Sequence, residues 1–218
     1  MPIDFSYEAL FGKKHGYKII AGVDEVGRGP LAGPVTAGAF VFLSGSDPDG
    51  FLGFDPALRI LRDSKLLSAK QRGELFLFFC ELKKEGKADF ATASVFPKTI
   101  DKKHIHHAVV LAMRRAVSKL SIEPNHALID KFSYSRKFLH TISYTLVPRG
   151  DDIVPSIAAA SIVAKVKRDK TMLRYHSEYP CYRFDLHKGY GTKFHRDMIC
   201  KRGLSPIHRK SFRLHNIT

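Results

Sequence analysis

The chain has 218 residues, 36 basic against 21 acidic, giving a formal net charge of +15 and a pI near 9.8. That length suits one sizeable domain, and 44% hydrophobic residues with no low-complexity tract exclude a disordered chain. The basic excess favours a polyanionic partner through counterion release, so nucleic acid is preferred over a basic surface kept for solubility.

Tyr17–Val23 reads as a largely buried strand, and Val35–Leu43 as a second, with a short glycine-rich connection that suggests an antiparallel hairpin. Ser46–Pro56 carries Asp, Pro and Gly and reads as a loop. Ser68 to Lys84 is helical in pattern, with Ser68 as N-cap and Gly86 just past the end. Ala88–Phe96 is a third strand. Ile105 to Leu120 repeats apolar residues at helical spacing, with Arg114 and Arg115 toward the other side. Ala127–Asp130 is a short strand and Thr141–Val147 alternates as a strand does. Pro155 opens a long helix from Ile157 to about Tyr175. The layout predicts an α/β domain with a mixed sheet over residues 1–178, and a helical or irregular extension over 179–218 packed against it.

Cys80, Cys181 and Cys200 are odd in number and lack close metal-ligand spacing, which argues for free thiols in a reducing cytosol. Residues 1–14 lack a signal-peptide pattern, and no apolar run approaches the roughly 20 residues needed to cross a bilayer. A soluble, cytoplasmic protein without membrane association is expected, with a monomer as the default.

The run from Gly22 to Pro34 (GVDEVGRGPLAGP) carries the chemistry. Two adjacent acids close an apolar segment, and a glycine-rich turn with one arginine follows. Carboxylates held at the end of a buried segment suit a hard divalent cation, while small residues let backbone N–H groups approach an anion. Gly27-Arg28-Gly29 is neither a Walker loop nor a dinucleotide fingerprint. Four acids stand out: Asp24, Glu25, Asp130 and Asp151, the last with Asp152 beside it as an equally good carboxylate. Adjacent strand residues face opposite ways, so Asp24 and Glu25 share a site only if the pleat breaks there. Oxygen-only ligands point to Mg²⁺ or Mn²⁺, and a metal also explains how clustered carboxylates coexist.

Five runs in order resemble bacterial ribonuclease HII: GVDEVGRGPLAGPV (22–35), DSKLLSAKQRGELF (63–76), VPSIAAASIVAKVKRD (154–169), HKGYGT (187–192) and SPIHRKSF (205–212). The resemblance implies an RNase H-like fold with a C-terminal helical segment. It implies a metal-dependent endonuclease acting on the RNA strand of RNA–DNA hybrids and 5′ of ribonucleotides embedded in duplex DNA. It also selects Asp151 over Asp152 and makes Asp24, Glu25, Asp130 and Asp151 the catalytic, metal-holding acids. Arg149 stands where the family usually has lysine, and Lys131-Phe132 where a glycine usually follows the third acid. Ribonuclease HIII shares the fold, but it typically carries a further N-terminal domain, and the first motif here starts at Gly22.

By the same resemblance the backbone of Gly27, Arg28 and Gly29, with Tyr190, senses the 2′-hydroxyl, a group able both to donate and to accept. Lys65, Ser161 and Lys165 are then phosphate contacts. The eleven histidines show no ligand spacing, and structural or phosphate-contact roles are expected of His187 and His208. Phe76, Phe78 and Phe79 are expected in the core. Two other functions compete: another carboxylate nuclease of similar fold, such as a junction resolvase, and a non-catalytic binding module. The first needs no ribose sensor. In the second, four acids would only weaken phosphate binding.

Overall fold

The computed structural model describes residues 3, 6–43, 58–61, 64–131 and 142–212. The loop expected over Ser46–Pro56 lies outside the described residues, as do Asp63, Phe132 and Thr141. Helix α1 (Ser6–His15) leads into strand β1 (Ile20–Val26), which pairs antiparallel with β2 (Val35–Phe42), the expected hairpin partner. Helix α2 (Ala69–Lys84), strand β3 (Ala88–Val95), helix α3 (Pro97–Val117) and strands β4 (His126–Asp130) and β5 (Ser143–Val147) follow. A four-residue turn of helix, α4 (Gly150–Ile153), precedes the long α5 (Pro155–Glu178). Short helices α6 (Phe184–His187) and α7 (Lys193–Arg202) complete the chain. Among the described residues no helix is long and apolar enough to cross a membrane.

The sheet runs β3-β2-β1-β4-β5, with β4 parallel to both β1 and β5 and the β1–β2–β3 part antiparallel. This is the mixed sheet that the element order implies. Its two faces bury separate cores. On one, Val23, Ala37, Ala39 and Ile129 meet Ala108, Val109 and Met113 of α3. On the other, Phe40 meets Leu75 and Phe79 of α2 and Ala158 to Ala160 of α5, with Phe76 and Phe78 partly buried against them.

Small residues set how closely α5 approaches. A Cβ on Gly22 would fall 2.2 Å from the Ser156 carbonyl carbon, and one on Gly38 2.2 Å from the Ala160 carbonyl oxygen. The helix therefore rests on strand backbone, with its Ala158-Ala159-Ala160 face against the sheet. Glu8 of α1 accepts the Ser156 N–H at 2.8 Å, supplying an anion to the first turn of α5.

Several boundaries differ from the sequence reading. Strand β1 starts at Ile20 and runs on through both acids to Val26, because β2 continues opposite: Asp24 pairs with Gly38, Glu25 with Ala37 and Val26 with Thr36. Backbone pairing takes no account of side-chain charge. Helix α3 begins eight residues before Ile105. Pro97 occupies its first turn, and a break at His104 (φ 64°, ψ 154°) interrupts the helical pattern. Helix α2 matches its expected bounds, and its capping box is complete: Ser68 Oγ accepts from Gln71 N–H and Gln71 Oε1 from Ser68 N–H.

Residues 180–212 fold back over the glycine-rich connection between β1 and β2, tied by an isolated bridge between Ala32 and His208. Three histidines hold this segment. The His208 Nδ1 accepts Ser205 N–H, so its proton is on Nε2 and donates to His195 Nε2 at 3.0 Å; His195 Nδ1–H then donates to the Tyr190 carbonyl. His187, stacked 4.4 Å from His195, donates from Nε2 to the Tyr182 carbonyl and accepts Gly189 N–H. Every ring nitrogen of the trio is therefore used within the protein. His187 and His208 serve structure here, and the grouping was invisible in the spacing of the histidines along the chain. A second proton on His195 or His208 would face another N–H, and burial pushes both pKa values down to about 4. Their folded pKa lies below the ordinary 6.5, so their contribution to stability is complete above pH 6.5 and is lost as the pH falls through about 4. Nitrogen-15 NMR is expected to find both rings neutral at about pH 5.5; protonated rings at that pH would overturn the assignment.

Candidate active site

Strands β1 and β4 lie parallel and in register, Val23 beside Ile129, so the residue that follows each is a carboxylate at the rim where their pairing stops. Asp24 and Asp130 are those carboxylates. Strand β5 pairs Val147 with Asp130 and then turns through Pro148 and Arg149 into α4, which brings Asp151 to the same rim. The turn is tight. Arg149 sits in the left-handed region (φ 53°), and Gly150 N–H donates to Asp130 Oδ1 at 2.7 Å. One backbone bond thereby ties the third acid to the segment carrying the fourth.

Asp24 and Glu25 do not need a break in the pleat. Asp24 points to the α5 face and Glu25 to the α3 face, as the alternation of Gly22 and Val23 before them dictates. The pairing with β4 stops at Val23, one residue before them, and both acids feel the charge of Asp130. Burial pushes the Asp24 carboxyl well above the usual range, and the negative charges of Glu25, Asp130 and Asp151 add to this; a hydrogen bond from Ser161 works the other way. Burial likewise raises Glu25 to about 7, opposed by the Arg28 guanidinium at 3.4 Å. Glu25 Oε2 is buried without a hydrogen-bond partner.

The donor set, all carboxylate oxygen, fits a hard divalent cation, and the orphaned Glu25 oxygen and raised acids are what such a charge would relieve. Among the described residues, however, no three acid, histidine or cysteine side chains are gathered as a ready cage for one ion.

The residues expected to touch substrate divide into two groups. Lys65 is 74% exposed and stands 3.7 Å from Asp151, at the site and open to solvent. Tyr190 is 44% exposed on the segment docked against the glycine-rich loop, where Leu31 and Ala32 N–H donate to the Gly189 carbonyl. Gly29 is exposed, with open space where a side chain would stand.

Ser161 and Lys165 are placed differently from phosphate contacts. Ser161 is buried, and its hydroxyl bonds Asp24 and, at 2.8 Å, Ser64. Lys165 is 2.7 Å from Asp169, which also faces Arg72 at 3.9 Å, so its charge is engaged inside the protein. Burial lowers the Lys165 pKa, partly offset by Asp169.

Sequence reasoning did not single out two buried arginines. Arg168 donates from Nε to the Pro34 carbonyl at 3.0 Å, and from Nη2 to the carbonyls of Ala32 and Lys188. Arg209 donates to the carbonyls of Gly33, Arg28 and Gly27 at 3.0, 2.8 and 2.6 Å. A buried arginine is announced by no local pattern. The only trace was that both lie within the runs that carry the resemblance, Arg168 in 154–169 and Arg209 in 205–212.

Comparisons with known proteins agree with this picture. A family model for ribonuclease HII matches residues 21–215. A ribonuclease HII from Acholeplasma laidlawii is 46% identical over 205 residues, covering 94% of this chain and 91% of the relative. Among solved structures, ribonuclease H2 from Pyrococcus horikoshii OT3 superposes with a TM-score of 0.69 at 24% identity, covering 89% of this chain and 94% of that one. A structure of the PCNA:RNase HII complex from Archaeoglobus fulgidus gives 0.70 at 23% identity, covering 92% and 98%. The two structures establish a shared fold, the RNase H-like one.

The raised acids make a stability prediction. Glu25 has a folded pKa of about 7 against an ordinary 4.5, so the penalty is absent below pH 4.5, grows between 4.5 and 7 and is complete above 7. Glu25→Gln is expected to raise the metal-free Tm at pH 8 by a few degrees, on the order of 2–4 °C per kcal/mol for a chain this size. The difference should vanish toward pH 4.5. A lower Tm at pH 8 would mean that the Arg28 contact outweighs the repulsion.

Proposed function

The chain belongs to the ribonuclease HII family and is an endoribonuclease, and we propose that it cuts RNA–DNA hybrids and duplex DNA 5′ of single embedded ribonucleotides. The observation that carries this reading is one juxtaposition. Acids of β1, of the end of β4 and of the start of α4 share one electrostatic neighbourhood, and the glycine-rich loop that follows Glu25 is held by backbone bonds to the segment carrying an exposed tyrosine. Acids alone would suit any phosphodiesterase of this fold. The loop and tyrosine add a surface able to read a sugar.

Asp24, Glu25, Asp130 and Asp151 would hold two divalent ions, Mg²⁺ or Mn²⁺, which supply a lowered water pKa and charge stabilisation at the leaving 3′ oxygen. The protein's own residues do the rest. Ser161 donates to Asp24 and is itself hydrogen-bonded to Ser64, which orients that carboxylate before any ligand arrives. Gly150 N–H fixes Asp130 in the same way. Arg28 stands between Glu25 and solvent, a charge that favours approach of a phosphate. Lys65, exposed beside Asp151, is a second point charge for the backbone. The glycine-loop backbone and the Tyr190 ring meet the ribose, the first by hydrogen bonding to the 2′-hydroxyl and the second by stacking. Hydrolysis leaves a 3′-hydroxyl and a 5′-phosphate.

The test is a labelled DNA duplex with one ribonucleotide, incubated with Mg²⁺, Mn²⁺ or EDTA beside an all-DNA control. Metal-dependent cutting 5′ of the ribonucleotide, absent from the control, is expected. Cutting of the control would favour a resolvase-like nuclease instead. Asp24→Asn should lower turnover by on the order of 10³-fold or more while duplex binding persists; equal loss of both would overturn its assignment. Tyr190→Ala should lower cleavage at a single ribonucleotide by roughly tenfold or more, the worth of one stacked base. A wild-type rate would leave Tyr190 as packing.

A further inference from the structure

Arg168 is 0% and Arg209 2% exposed, and among the described residues neither has a carboxylate within salt-bridge distance. Their hydrogen bonds all go to carbonyl oxygens. A buried cation without a counter-ion is a costly way to stabilise a fold, so the geometry that these two impose is worth tracing. Arg209 takes the first half of the glycine-rich loop, the carbonyls of Gly27 and Arg28, and reaches on to Gly33. Arg168 takes the second half, Ala32 and Pro34, and then crosses to a different segment, the Lys188 carbonyl at 2.9 Å. Its guanidinium carbon lies 5.8 Å from the centroid of the Tyr190 ring, a cation–π distance. Its Nη1 has no acceptor. A rigid planar fork thus spans the gap between the loop and the tyrosine segment, and a flexible ammonium could not hold both sides at fixed separation.

We propose that Arg168 is a positioning residue for ribonucleotide recognition: by bonding Pro34 and Ala32 on one side and Lys188 on the other, and packing against Gly27, it fixes the separation between the glycine-rich loop and the segment that carries the Tyr190 ring. This rests on the reading of Gly27-Arg28-Gly29 and Tyr190 as the sugar sensor. Arg168 is too deeply buried to meet substrate itself, so its effect on the reaction passes through Tyr190 and the loop.

The test is a double-variant cycle on the single-ribonucleotide duplex, using Arg168→Lys, Tyr190→Ala and the two combined, with duplex affinity measured by fluorescence anisotropy in EDTA. Arg168→Lys keeps the charge but loses the fork. It should lower kcat by roughly tenfold, no more than Tyr190→Ala does, with affinity changed less than about twofold because the phosphate contacts remain. The combined variant should cut no more slowly than Tyr190→Ala alone, within about twofold. Losses that multiply would show independent effects and overturn the proposal, as would a wild-type kcat in Arg168→Lys.

Gly189→Ala gives a second route if Arg168→Lys does not fold. Its added Cβ would lie 2.4 Å from the Ala32 carbonyl oxygen, prying the same two segments apart without touching the guanidinium. It should reproduce the fall in kcat with affinity retained and likewise add nothing to Tyr190→Ala; a wild-type kcat there would overturn the proposal too. Failure of the sensor reading itself looks different: Tyr190→Ala would then cut at the wild-type rate.

Discussion

Almost everything at the site follows from α5 being seated at backbone contact on β1 and β2. Gly22 and Gly38 leave no side chain in the way, and Ala158 to Ala160 present none. At that distance each later turn of the helix delivers a group to the rim. Ser161 reaches Asp24, Arg168 reaches the loop carbonyls, and Met172 fills the space against Gly33. The packing is dense and dispersion-driven, and an added methyl at either glycine would lift the helix and displace all three groups together. Fold and site are therefore one construction. The start of the helix is held from outside by Glu8, so its position along the strands is fixed as well as its height.

The distribution of charge follows a second logic. The chain is strongly basic overall, yet Asp24, Glu25, Asp130 and Asp151 lie close enough to raise one another's cost of ionisation. Burial raises Asp24 and Glu25, and one Glu25 oxygen has no hydrogen-bond partner. The two buried arginines show the opposite economy. They face carbonyl dipoles, and what they hold is backbone, so the loop's shape rests on distant residues together with its own Gly27 and Gly33, both at positive φ.

Much of this was legible in the chain. Alternation and apolar runs located the strands within a few residues, and Ser68 as N-cap with Gly86 past the end marked the bounds of α2. Asp24 and Glu25 stood out as paired acids before a glycine-rich turn, whereas Asp151 was separated from Asp152 only by the family resemblance. What escaped has identifiable causes. Helix α1 offers no clear apolar face for a periodicity argument, with only Gly12 fully buried. The break at His104 hid the first turns of α3. Ser161 and Lys165 were read as surface contacts because a sequence shows hydrogen-bonding capacity and charge but not the partner, and the partners here, Ser64 and Asp169, bring them inward. The arginine clamp and the histidine trio are contacts between segments far apart in sequence, where pattern reading has no purchase.

The separation along the chain has a consequence for how the protein comes to be made. The Arg209 bond to Gly27 spans 182 positions, whereas the last of the four acids is already present at Asp151. During synthesis, a ribosome-bound chain that has emerged only as far as α5 carries every acid of the rim and the strands that hold them. It has Arg168 but lacks Arg209, the other guanidinium on the loop, and the segment that presents Tyr190. Loop closure over so long a separation is slow relative to local structure. The nascent protein can thus assemble its sheet before the C-terminal segment is available to dock on the glycine-rich loop.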